Sequence, residues 1–155
     1  MAEPSLEQQI VRAMPTAPVR PVSPARPRHV RALRRAHAVA EALFSTDATP
    51  APAERISWLL AELDIVLTCA GWRSGGFYKL GLLAVTILAP LLILRPVPLH
   101  RLSIVDRVRA LRKMEHSFAA SVVLGVKAIL CVVYYEHPDA ALETGYTPGR
   151  HRVTP

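Results

Sequence analysis

The sequence predicts an all-α fold: a small helical bundle of about five helices, two of them long and apolar, behind a flexible proline-rich N-terminal arm. The apolar content of the 155 residues is carried by Ala, Leu and Val, with aromatics at only 6%; Ala and Leu are strong helix formers. Apolar residues recur at spacings of three and four along most of the chain, the period of a helix with one buried face. The 14 prolines gather near the N-terminus and in short connectors, so long stretches are free of them. The length fits one domain, and a mean hydropathy of +0.24 is high for a body of this size, which hints at surface that does not face water.

Residues 1–28 read as a loose arm. Pro15, Pro18, Pro21, Pro24 and Pro27 recur every third residue, which favours extended polyproline-like chain, and Arg12, Arg20, Arg26 and Arg28 make it basic. The helical domain is expected over 29–146 and a flexible tail over 147–155. The first helix, 29–45, carries a modest stripe of Val30, Leu33, His37, Ala40 and Phe44. Arg31, Arg34 and Arg35 lie near its start, where the helix dipole disfavours cations; an ordinary solvated face, acidic partners or lipid phosphates would each account for them. After a linker with Pro50 and Pro52, a second helix over 53–70 has a strong stripe of Ile56, Leu59, Leu60, Leu63, Val66 and Leu67, with Glu54 in its first turn and Gly71 as its stop. Residues 71–76 are expected to form a turn, in which Trp72 anchors at a membrane interface or caps the core.

The third helix, 77–94, is the first long apolar segment, uncharged from Leu80 to Leu94, with Pro90 expected to kink it or mark its last turns. Arg95 to Arg101 reads as a stiff basic connector. Ser103 is the expected N-cap of a helix running to residue 115, with Asp106 three residues on in a near capping box. Its Arg107, Arg109, Arg112 and Lys113 suit either a headgroup layer or the solvated side of a bundle helix. The second long apolar helix, 117–135, has Ser117 as its cap and Lys127 near its middle. A lysine near a bilayer centre costs about 2.5–3.5 kcal/mol, so Lys127 argues for packing against protein, its ammonium reaching an edge or an acid. Pro138, Asp139 and Glu143 suit a short helix over 138–144 that Gly145 closes.

The excess of 19 basic over 12 acidic residues suits an anionic partner, whether lipid, acidic protein or nucleic acid. Nucleic-acid binding fits poorly. The basic residues are scattered, no stacking aromatic strand accompanies them, and the long apolar helices have no task in it. Two spans with a cytoplasmic loop, Arg95 to His116, are a second possibility, because that loop holds six Arg/Lys against two acids. Lys127 and Pro90 weigh against it, and docking is favoured over spanning, on the cytoplasmic side of a membrane. Trp72, Arg95, Arg101, Arg107, Arg109, Arg112 and Lys113 are the candidate membrane or headgroup contacts. Cys69 and Cys131 each sit in an apolar run and read as buried small hydrophobes; whether they pair stays open.

No catalytic grouping is evident: the six histidines are scattered, and neither HExxH, GxSxG nor a phosphate-cradling glycine loop occurs. Glu136, His137 and Asp139 offer metal-ligand chemistry, but the intervening proline leaves them poor geometric freedom, and no metal site is assigned.

The stretch from Phe77 to Tyr146 resembles the small helical region or subunit that accompanies glucose-methanol-choline type flavoprotein alcohol oxidoreductases, in the branch acting on long-chain fatty alcohols and sterols. The residues carrying the resemblance are Leu102-Ser103, Arg107-Val108, Leu111 to Glu115, Leu124 to Cys131 and, most specifically, Tyr134-Tyr135-Glu136-His137-Pro138-Asp139-Ala140 with Glu143-Thr144-Gly145-Tyr146. The resemblance implies a non-catalytic docking or linking element, with FAD and the catalytic histidine in a large partner rather than in this chain. It implies partner-docking roles for Tyr134, Tyr135, Glu136, His137, Pro138, Asp139, Gly145 and Tyr146; Lys127 joins them through its need for an acid. Residues 1–75 are not clearly covered.

Overall fold

The computed structural model describes residues 28–46 and 49–145, and among them the chain is all-α. Six α-helices follow in order: α1 (Val30–Leu43), α2 (Ala53–Cys69), α3 (Gly71–Leu92), α4 (Ile104–Glu115), α5 (Ala120–Tyr135) and α6 (Pro138–Glu143), with a 3-10 turn at Leu99–Arg101. The expected arm, apart from Arg28, lies outside the described residues, as do Tyr146 and the tail 147–155.

The buried side of α1 differs from the expected stripe. Leu33, Ala36, Val39 and Ala40 face the core, while Val30 and His37 are exposed. Small side chains let helix axes approach closely, and α1, with Ala32, Ala36 and Ala40 buried, packs on α2, α3 and α4. His37 instead meets Glu41 one turn on, at 3.3 Å. The start of α1 is held from a distance. The Asp64 carboxylate of α2 accepts hydrogen bonds from the backbone N–H groups of Arg28 and His29, both at 3.1 Å, taking up donors left free where a helix begins.

The turn expected at 71–76 is helical instead. Gly71 has φ +71°, a left-handed conformation that glycine adopts at little cost, so the chain turns there and only Ala70 separates α2 from α3. Gly75 is buried, and a Cβ there would lie 3.3 Å from the Leu67 carbonyl oxygen, so this glycine serves the close approach of the two helices. The first apolar segment therefore becomes a 22-residue helix that starts six residues before the expected 77. Pro90 sits in its last turns. Beyond it the amides of Leu94 and Arg95 donate to the carbonyls of Leu91 (2.9 Å) and Pro90 (3.1 Å), the paired bonds of a Schellman ending. The residue in the left-handed position is Leu94, at φ 60°, where glycine is usual.

Ser103 caps α4 as expected: its Oγ accepts from the Asp106 amide at 3.2 Å. The Asp106 carboxylate accepts from the Ser103 hydroxyl and from Arg95, both at 3.0 Å. Ser117 does not cap α5. Its hydroxyl donates to the Met114 carbonyl (2.8 Å) and accepts from the Ala119 amide (3.2 Å), shaping the turn after α4, so α5 begins at Ala120 and has 16 residues. Only one of the two expected long apolar helices is long enough to cross a bilayer. Gly145, at φ +77°, closes α6 as expected, its amide donating to the Leu142 carbonyl at 3.0 Å.

Helices α3 and α5 pack on each other where Gly81 makes room; a Cβ there would meet Val126 Cγ2 at 3.2 Å. Both also rest on α1, α2 and α4. The core between them is filled by fully buried Leu59 and Leu63 of α2, Leu82 and Val85 of α3, Met114 of α4, and Val123 and Leu130 of α5.

Candidate functional site

The conspicuous surface of the molecule is the outer side of α3 and α5. Along α3, Phe77, Leu80, Ala84, Ile87 and Leu91 follow one another at alternating spacings of three and four, which places them on one face, and Leu94 lies just past the helix end. All but the half-buried Ala84 are exposed, Phe77 at 75% and Leu94 at 89%. Along α5, Leu124, Gly125, Ala128, Val132 and Tyr135 are likewise uncovered. The two helices touch each other and lean on the same three neighbours, and each leaves one side bare. Trp72 and Phe118, 86% and 87% exposed, sit near the starts of the two helices. A monomer in water rarely leaves so many large apolar side chains of one helix face uncovered, which makes this face the candidate interaction surface. Only 39% of the apolar window of α3 is buried inside the protein. At 16 residues and a rise of 1.5 Å each, α5 is about 24 Å long, short of the roughly 30 Å of a bilayer's hydrocarbon core.

The expected headgroup contacts divide. Trp72, Arg101, Arg109, Arg112 and Lys113 are exposed. Arg95 is exposed but paired with Asp106. Arg107 is used inside the fold, a correction to its expected role: its side chain is 13% exposed, pairs with Glu41 at 2.6 Å and donates to the carbonyls of Leu102 (2.9 Å) and His100 (3.1 Å). Arg109, Arg112 and Lys113 turn away from the helices that α4 packs against, α3 and α5 among them, so they do not join the apolar layer.

The expected docking residues divide too. Lys127 takes its acid from its own chain, pairing with Glu115 at the end of α4 in a half-buried contact. Sequence reasoning anticipated the acid but looked for it on a partner. Tyr134 is buried and stacks on Phe44, ring centroids 3.7 Å apart. His137 sets its ring edge-on to Trp58 at 5.1 Å, and its Nδ1 is buried with no hydrogen-bond partner among the described residues. Tyr135, Glu136, Pro138, Asp139 and Gly145 are exposed; Tyr146 lies outside the described residues.

Beside this block, α1's end, the Thr46–Thr49 bridge and α6 enclose an open hollow of about 560 Å³, lined by Phe44, Pro52, Arg55, Tyr134, Tyr135 and Glu143 among others. Arg55 grips Glu143 through both oxygens, at 2.7 and 2.8 Å, and this hydrogen bonding holds the Glu143 carboxyl below the usual carboxylate range. Burial, then the charges of Arg34, Arg101 and Arg107, lowers the pKa of His100. Burial raises the Cys131 thiol, against a smaller opposing pull from Lys127, which makes it a poor nucleophile at neutral pH. Both cysteines are unbridged, and Cys69 is exposed at the end of α2, against the expectation of burial. Among the described residues no three His, Cys, Asp or Glu side chains come together to hold a metal ion. Sequence reading missed Glu41, Arg55 and Trp58, whose partners lie 66 to 88 residues away for the two charged ones, beyond any local pattern.

No family model, curated protein or solved structure matches the chain.

Proposed function

We propose that this chain is a non-catalytic docking subunit that seats a larger FAD-dependent alcohol oxidoreductase at a membrane, near lipid-like alcohol substrates. The observation that carries the membrane half is the bare apolar side of α3 and α5, which needs a nonaqueous cover. The partner half rests on the sequence resemblance centred on the Tyr134–Tyr146 block. The exposed members of that block, Tyr135, Glu136, Pro138 and Asp139, lie at the α5–α6 junction and offer a polar, partly aromatic contact of the kind protein partners use. In this reading the chain holds no flavin and moves no proton or hydride; the partner does the chemistry.

The test is co-purification of the tagged full chain in mild detergent. A stoichiometric partner with flavin absorbance is expected, and charge reversal at both Glu136 and Asp139 should weaken its retention at least tenfold. A chain that purifies from its native membranes with no flavin-containing protein removes the partner half.

A further inference from the structure

Taking the chain to be membrane-associated, as above, we propose that it lies in the plane of the bilayer on the bare side of α3, as a one-sided guest of an anionic leaflet, and does not span it.

Length alone would let α3 cross. Its packing forbids this while the fold is intact. The inner side of α3 carries α1, α4 and the Leu99–Arg101 turn along it. Those elements bring Arg31, Arg34, Arg109, Arg112 and Lys113 to the surface and the Arg107–Glu41 pair to the inside. Threading α3 through hydrocarbon would draw these charges in with it, and each is disfavoured by roughly a hundredfold in partition. Lying flat exposes none of them. A helix seated this way sinks its apolar face only about 5–10 Å below the headgroups, which matches a helix apolar on one side and packed on the other.

Charge selects the lipid. Between Asp64 and Asp106 the sequence has no acidic residue, and Arg73, Lys79, Arg95 and Arg101 fall in that stretch. Arg73 is exposed four residues before Phe77, at the head of the bare stripe, and Arg95 directly follows Leu94 at its foot. Asp106 offsets part of the charge of Arg95. Across α5, from His116 to Tyr135, there is no acid either, and its one cation, Lys127, is paired. The apolar layer is thus bracketed at both ends of α3 by cations at headgroup depth, where each adds attraction to an anionic surface. Trp72, at the same end as Arg73, suits that depth as well.

The experiment uses the full chain with vesicles of phosphatidylcholine, alone or mixed with phosphatidylglycerol. Flotation should be at least tenfold stronger with the anionic lipid and should weaken as salt rises. Ile87→Glu should reduce it at least tenfold with an unchanged circular-dichroism spectrum, whereas Val30→Glu, on the charged side of α1, should not. Depth is read in Trp58→Phe proteins with one remaining tryptophan: native Trp72, or Leu80→Trp or Leu91→Trp with Trp72→Phe. Brominated lipids should quench all three positions at one shallow depth. Deep quenching at 80 with shallow quenching at 72 and 91 would mean spanning, overturning the in-plane seat while leaving membrane association standing. Equal flotation on neutral vesicles would overturn the anionic preference. Absence of flotation on either would sink the seat and the membrane half of the proposed function together, leaving the flavin co-purification as a separate question.

Discussion

Leu94 gives one substitution opposite effects on folding and on membrane seating. Its left-handed backbone costs a residue with a Cβ about 1–2 kcal/mol. Glycine removes that strain but gives up roughly 0.5–1 kcal/mol more chain entropy on folding. Because the side chain is 89% exposed, almost no core contact is lost. Leu94→Gly should therefore stabilise the fold by about 0.5–1 kcal/mol, raising the melting temperature by about 1–4 °C for a body of this size. On a membrane the sign reverses. Full burial of a leucine is worth about 1.5–3 kcal/mol; half of that at a shallow site is about 1 kcal/mol, or roughly a fivefold loss of vesicle partition. Leu94→Ala separates the effects, since it keeps the backbone strain and loses the same apolar contact. Thermal melts and vesicle flotation on all three proteins make the measurement. A glycine variant less stable than the parent would refute the strain argument, and unchanged flotation of both variants would refute the placement of this corner at the lipid.

Other outcomes follow from the packing. Gly75→Val should destabilise by about 1–3 kcal/mol, because its Cβ presses on the Leu67 carbonyl, whereas Gly76→Ala, with open space around it, should gain about 0.5–1 kcal/mol; urea titrations compare them. Lys127→Leu should cost about 1–2 kcal/mol by leaving half-buried Glu115 without its cation, and a double-mutant cycle with Glu115→Gln should show favourable coupling; zero coupling would discard the pair. Glu41→Gln should cost about 2 kcal/mol through the largely buried Arg107, measured the same way. The depressed Glu143 carboxyl and the depressed His100 act in one direction: the unfolded chain binds their protons more readily. Stability should fall as pH drops below the ordinary histidine value, and again below the ordinary carboxylate value, with Glu143→Gln flattening only the second step.

How far the sequence could be read depends on the range of each interaction. The three-and-four periodicity of Ile56, Leu59, Leu63 and Leu67 is local and was legible, as were the Ser103 cap and the stop at Gly145. The 71–76 segment misled because glycine, usually a sign of irregular chain, is used at 75 to let Leu67 come close, a fact that exists only between two helices. In α1 the stripe through Val30 and His37 was misplaced; three helices converging on the other side bury Ala32, Ala36 and Val39 instead. Lys127's need for an acid was legible, but Glu115's position was not, since it depends on the turn that Ser117 builds. The apolar surface could be inferred in amount but not in placement, because which sides of α3 and α5 stay bare depends on the neighbours they pack against.

The joint at Ala70 has a mechanical consequence. With one residue between a 17-residue and a 22-residue helix, α2 and α3 behave as the two arms of a crank. The far end of the first arm is clamped through Arg55 to Glu143 and through Trp58 to His137, next to the surface offered to a partner. The second arm carries the bare stripe on its own outer side. A pull on the α5–α6 corner would be carried as torque to the lipid side, with no slack loop to absorb it.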